Sequence, residues 1–315
     1  MAPARAAPAP ATAVAPSPAR HGTATATCGG NGIAALQFAP AAAHSVAHVD
    51  LGALMRVPAL APVRSVLERA PDVAALVGAA AECGLGPDTW RGLTTARAEG
   101  SVDSITVLQA EGIGERERLG CVRDAMVRAK QEPRFALAPG DGAVELELVG
   151  DGGRAIAVDR CTLVIASPRW IDATRERIAG RGRSLLEGPL MPTILRAGEG
   201  RAVWMAVRSA SSTTLAFTGN RADDLAASVS VHDGFAVDVS LQFPPPPPPR
   251  AAADQVSGMF NNVKSMMVTM GLPQTVVDGT RITAAGAFVS VAMRGSVADL
   301  EILSRAIAKT ASGVQ

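Results

Sequence analysis

The residues best suited to chemistry cluster at His44-x-x-x-His48-x-Asp50, two imidazoles and a carboxylate of the kind that ligate a divalent metal. Histidines four apart meet on one face of a helix, but on a strand they lie about 13 Å apart along the chain. Residues 45–56 read as extended, so His44, His48 and Asp50 are only weak metal candidates. They fit better as polar positions on a segment entering a sheet. His21 falls in an Ala/Pro-rich leader and His232 in an expected turn, so neither reads as a general base held in a cleft. The four cysteines (Cys28, Cys83, Cys121 and Cys161) form no C-x-x-C pair, which argues against a zinc or thioredoxin-type site. Cys83 ends one expected helix and Cys121 lies in the next. They are either bridged or packed as small buried thiols, and a bridge would be worth up to about 4 kcal/mol in the chain-entropy picture.

Other chemistry-bearing patterns have plainer readings. Gly112-Ile113-Gly114 follows an expected strand, but the third glycine of a dinucleotide fingerprint would fall on Glu117, leaving a glycine-rich approach to a helix. Glu145 and Glu147 alternate on one strand, as on the wet face of a sheet. The basic run Arg175–Arg183 contains Glu176 and no aromatic residue, which reads as a solvated helix end. No G-x-S-x-G elbow, Walker A loop or H-E-x-x-H motif is present. The sequence therefore nominates no catalytic residue and no cofactor-binding residue.

Composition bounds the partners. Thirty basic residues against 29 acidic give a net charge of +1, spread without a basic stripe, and aromatics make up 3% with no tyrosine. That surface lacks the footprint of a nucleic-acid or anionic-membrane binder and has few platforms for stacking. No stretch reaches the roughly 18 apolar residues of a transmembrane segment. Residues 1–42, rich in Ala and Pro, read as a disordered tether without a visible signal peptide. The residues before Cys28 lack the aliphatic side chain of a lipobox, so lipid attachment there is the minor reading.

The elements that must position these residues suggest a duplication. Glu82-Cys83-Gly84-Leu85 through Gly92 matches Thr269-Met270-Gly271-Leu272 through Gly279 at a constant offset. A first βαββα unit is expected over 43–133: an extended segment at 45–56, a helix over 61–83 interrupted by Pro71 with Asp72 as a new N-cap, strands at 91–98 and 104–110, and a helix at 114–130. A β-meander with short helices follows over 134–234, including an expected strand at 213–218 and a hairpin turn at His232-Asp233-Gly234. The second unit, 235–315, opens on the alternating strand Phe235–Phe243, which the prolines 244–249 end. Its helix at 252–270 carries an apolar stripe of Val256, Met259, Phe260, Val263, Met266, Met267 and Met270, expected to face the core. Strands at 281–285 and 287–294 and a closing helix complete it. The fold class is α+β, with antiparallel sheets packed against helices.

In composition and organisation, residues 45–312 resemble uncharacterised envelope or secreted α+β proteins of high-GC bacteria, in which an Ala/Pro-rich tether precedes duplicated α+β units. The resemblance implies a periplasmic or cell-envelope setting, with the cytoplasm as the alternative, and carries no functional residue. The expected function is a non-enzymatic binding or scaffolding protein for an unknown protein or hydrophobic ligand. Its site should lie between the units or in the meander. The alternatives are a hydrolase whose site assembles only in three dimensions and a divalent-metal module.

Overall fold

The computed structural model describes residues 28–30, 32–69, 71–139, 144–150, 152–198, 200–208, 222–244 and 249–312. Its strands are β1 (Ser45–Val49), β2 (Trp90–Arg97), β3 (Ser104–Ala110), β4 (Phe135–Leu137), β5 (Glu145–Leu148), β6 (Arg154–Asp159), β7 (Thr162–Ala166), β8 (Val203–Arg208), β9 (Asp224–Ser230), β10 (Phe235–Gln242), β11 (Arg281–Ala285) and β12 (Phe288–Gly295). All twelve join one antiparallel sheet in the order β11-β12-β10-β9-β8-β1-β2-β3-β7-β6-β5-β4. The fold class is α+β, as the sequence implies, but the meander and both units share a single sheet. Short connections make hairpins such as β2–β3, β6–β7 and β9–β10, and the long-range pairings β1–β8, β3–β7 and β10–β12 join them into one sheet.

The helices are α1 (Gly32–Ala35), α2 (Leu51–Met55), α3 (Ala61–Arg69), α4 (Pro71–Glu82), α5 (Arg116–Arg128), α6 (Ile171–Ile178), α7 (Met191–Gly198), α8 (Pro249–Thr269), α9 (Gln274–Asp278) and α10 (Val297–Ser312). On one face α1, α6 and α7 cover a core of Leu36, Val46, Ile105, Val107, Val164, Leu185, Ile194 and Trp204. On the other face α4 and α5 cover one end of the sheet, around Leu119, Val122, Met126 and Leu163. At the opposite end α8, α9 and α10 pack over Phe235, Leu241, Val289 and Met293. The two helical groups meet where α3 contacts α10.

The apparent duplication resolves into something more local. Gly84 and Gly271 both have positive φ, +73° and +98°. Each ends a helix with the same closure: the Leu85 N–H donates to the Ala80 carbonyl at 2.8 Å and the Leu272 N–H to the Met267 carbonyl at 3.0 Å. This is the Schellman arrangement, which selects glycine followed by an apolar residue. The same closure recurs after α6, where Arg181 bonds to Glu176, and after α5, where Gln131 bonds to Met126. The matched residues are thus a helix-stop signal. Element order does recur, but strand order does not: β2 pairs with β1 in the first unit, whereas β12 and not β11 pairs with β10 in the second. Gly92 lies inside β2, while Gly279 caps α9.

Four local expectations also change. Residues 28–30 and 32–42, assigned by composition to the tether, fold: Ala35, Leu36, Phe38 and Ala39 are core residues. Residues 51–55 are helical, not extended, because Asp50 caps α2 by accepting the Ala53 N–H at 2.7 Å. Pro71 does break the helical run, but as the first residue of α4, which leaves Asp72 within the first turn. The α8 stripe divides, since Val256, Phe260 and Met267 join the core, whereas Met266 and Met270 are 54% and 52% exposed. The strand expected at 213–218 and residues 1–27 lie outside the described residues.

Two disulfides cross-link the fold. Cys83 bonds to Cys121, tying α4 to α5, and Cys28 bonds to Cys161, tying the N-terminal segment to the β6–β7 turn. The first settles the choice between bridge and thiols; the second was not legible from spacing. With its sulfur in a disulfide, Cys28 is not available for a thioether-linked lipid. Protein unfolded without reductant should therefore show no free thiol, and peptide mapping should recover the pairs 28–161 and 83–121. The double variant Cys83→Ser/Cys121→Ser should lose about 2–4 kcal/mol in denaturant titration.

Candidate functional site

The sheet register builds the site. On the face covered by α1 and α7, the pairings Thr94↔His48, His48↔Trp204 and Trp204↔Ser228 set four side chains in one row across β2, β1, β8 and β9. His48 and Trp204 are each only 2% exposed, with ring centroids 5.5 Å apart. Nδ1 of His48 lies 2.8 Å from the Thr94 hydroxyl. The backbone of Gly30 also hydrogen-bonds to the imidazole. A neutral imidazole with Thr94 donating to Nδ1 fits this arrangement. Burial pushes the His48 pKa down, against smaller upward contributions from the Asp50 charge and the Gly30 hydrogen bond.

Gly30 belongs to a strap that runs from Cys28, fastened at Cys161, across the His48 row into α1. Gly32 lies directly over the imidazole, where any Cβ would overlap the ring atoms Cγ and Nδ1. Glycine is required there by close approach, not by a turn. The disulfide fixes the start of the strap, and Leu36 and Phe38 anchor its end in the core.

Beside this row a cavity of about 630 Å³ opens between the strap, α2 with the turn after it, the α7–β8 connection and the β9–β10 turn. Its wall includes His48, Asp50, Arg56, Arg201, Ser230 and His232, with Trp204, Ile33, Val57 and Val231 as apolar surface. Asp50 is engaged as the α2 cap. Arg201 lies 3.5 Å from the Asp238 carboxylate and donates to Ser230 at 3.4 Å. Asp238 is shared with Arg294, at 2.6 Å. Arg56 is exposed at the cavity wall and, among the described residues, its guanidinium has no hydrogen-bond or ion-pair partner.

The three residues singled out for metal binding separate. His48 and Asp50 reach the cavity. His44 instead stands 3.8 Å from the Glu99 carboxylate and lines a groove of about 410 Å³ with Ser45, Ala47, Thr95, Arg97 and Met205. Among the described residues no three His, Cys, Asp or Glu side chains come together as a metal cluster. Glu145 and Glu147 are taken up by arginines: Glu145 by Arg175 at 3.0 Å, Glu147 by Arg154 at 2.9 Å. Gly112–Gly114 form the turn before α5 between antiparallel strands. Arg56, Arg201, Trp204 and the strap were missed. Strand alternation alone could have found the buried position of His48, because it shares parity with Val46.

No family model matches the chain, and no curated protein matches it. Solved structures of TP0453 do match along most of both chains. Crystal form III gives a TM-score of 0.56 at 9% identity, covering 87% of this chain and 97% of that one. Forms IV and I give 0.51 and 0.50 at 8% and 10% identity, with similar coverage. The likeness is one of fold. At these identities TP0453 shares the architecture with this chain and lends no residue role to the cavity. No described helix is long and apolar enough to cross a membrane.

The state of His48 has a measurable consequence. Its folded pKa lies below the ordinary histidine value of about 6.5, so the unfolded chain binds the proton first as pH falls. Stability from this group is complete above 6.5 and is lost progressively between 6.5 and the lower folded pKa. Denaturant titrations from pH 7.5 to 5 should show stability falling with acidification in the wild type. His48→Gln should be less stable throughout, with a flatter pH dependence.

Proposed function

We propose that this protein is a non-enzymatic binding protein of an oxidising, extracytoplasmic compartment, and that it holds a small ligand in the cavity beside the His48 row. The observation that carries this reading is the cavity itself. Its volume falls within the range of pockets that bury a single small molecule, and it combines an apolar wall with a few polar groups. Two disulfides among four cysteines favour the oxidising compartment. The cavity draws its lining from the N-terminal strap, the first unit and the middle segment, with no described residue of the second unit.

The cavity also bears on the hydrolase alternative, because it holds two histidines and an aspartate. His48 and Thr94 form a base–hydroxyl pair, but Thr94 is only 3% exposed and does not line the cavity, so its hydroxyl does not reach a substrate held there. Asp50 is committed to the α2 cap through the Ala53 N–H. Arg56, which has no partner among the described residues, leaves the wall a polar group with which to orient a ligand.

Screening a fragment library by protein-observed NMR tests this. Binders should perturb the Trp204 indole and His48 imidazole resonances, and Ala53→Trp, which projects into the cavity, should abolish those shifts. Absence of any fragment at these residues, or turnover of ester, phosphoester or glycoside substrates by the purified protein, would overturn the reading.

A further inference from the structure

The charge pattern of the cavity narrows the ligand. Resting on the binding reading above, the geometry points to a small organic anion whose acidic group is taken by Arg56 and Arg201 while its apolar body lies against Ile33, Val57 and Val231. Among the described residues the lining carries two guanidinium groups and one carboxylate. That carboxylate, Asp50, spends one oxygen on the Ala53 N–H. Arg201 draws only part of a charge from Asp238, which makes its shorter contact to Arg294 on the far side. Arg56 draws none among the described residues. The wall therefore carries unspent positive charge and presents planar, multi-donor groups.

Guanidinium groups match carboxylates and related oxyanions in geometry as well as charge. A neutral ligand would leave Arg56 unused, and a cation would meet two like charges with one half-engaged acid opposite. Beneath these groups, the half-buried side chains of Ile33, Val57 and Val231 provide the apolar surface. A bare inorganic anion would leave that surface uncovered, so the fit is to a molecule with both an acidic group and an apolar body. Its size is limited by the cavity volume of about 630 Å³.

Two dyes with the same ring system separate charge from shape: anionic 8-anilinonaphthalene-1-sulfonate and neutral N-phenyl-1-naphthylamine. Titrated into the full chain at low ionic strength, the anionic dye should bind at least about tenfold tighter, a difference of about 1.4 kcal/mol. Arg56→Glu should weaken the anionic dye by about tenfold or more and leave the neutral dye within about twofold. Arg56 is exposed, so an unchanged Tm should show that the variant is folded. Ala53→Trp and, on the exposed rim, Pro58→Trp should displace both dyes. If the dyes bind alike and Arg56→Glu affects neither while the blocking variants displace both, the anion assignment is wrong and the cavity stands. If the blocking variants leave both dyes bound, the cavity is not the binding site and both readings fall.

Discussion

Everything in this structure depends on β1 finding partners on both edges. Its register with β2 runs from Ser45↔Arg97 to Val49↔Leu93, and with β8 from Ser45↔Val207 to Val49↔Val203. On the β2 side lie β3, β7, β6, β5 and β4; on the β8 side lie β9, β10, β12 and β11. A five-residue strand therefore joins two half-sheets that short hairpins alone would have left separate. Because the side-chain period of a strand is two, a one-residue slip against either neighbour would move Val46 and His48 out of the core. The buried row of Thr94, His48 and Trp204 rewards the native register, since a slip would strand a buried imidazole without Thr94 or Gly30.

The strap and this row stabilise each other. Gly30 supplies a backbone hydrogen bond that His48 needs once it is buried, and His48 gives the strap a polar anchor on an otherwise apolar face. Glycine at position 32 lets backbone lie directly on the ring. Flexible glycines are poor at holding position, because each loses more conformational freedom on folding than other residues. The Cys28–Cys161 bond compensates by fixing the end of the segment that its glycines leave loose. Chain entropy, a buried hydrogen bond and apolar anchoring by Leu36 and Phe38 thus act on one short stretch.

Much of the fold was legible because local signals and tertiary demands agreed. The pattern of Leu119, Val122 and Met126 placed α5, and alternation from Phe235 to Phe243 placed β10. Disagreement arose where a local signal had more than one cause. Gly-Leu after a helix looked like ancestry but reports a closure used four times among the described residues. Average composition hid Ile33, Leu36 and Phe38 among alanines, so the strap merged with the leader. The α8 stripe had the right period, yet period gives the width of an apolar face and not which part is covered. Of the site, His48 and Asp50 were visible as residue types but were grouped with His44 as weak metal candidates and otherwise read as polar positions entering a sheet. His44 is four positions from His48 in sequence, whereas Trp204 is its neighbour only through the β1–β8 ladder. Long-range register is not written in local periodicity, so the cavity could not be read from it.

The seam at β1 also explains why the cavity lies where it does. At the end of β1 the chain passes through Asp50 into α2 and onward to α3, which packs with α10. The neighbouring strand β8 begins beside that same point, Val203 pairing with Val49, but its chain arrives from α7 on the opposite face. Adjacent strand ends whose connections diverge leave a crevice that neither connection fills. Ligand sites in open α/β sheets arise for the same reason, where neighbouring strands send their connections to opposite sides. The geometry needs only two adjacent strands from distant parts of the chain, and among antiparallel hairpins that occurs where a sheet is joined and not where it is extended. The pairing that makes one sheet of two halves is thus also the pairing that opens the cavity, and the arginines at its wall come from the two segments that diverge there: Arg56 at the end of α2 and Arg201 at the approach to β8.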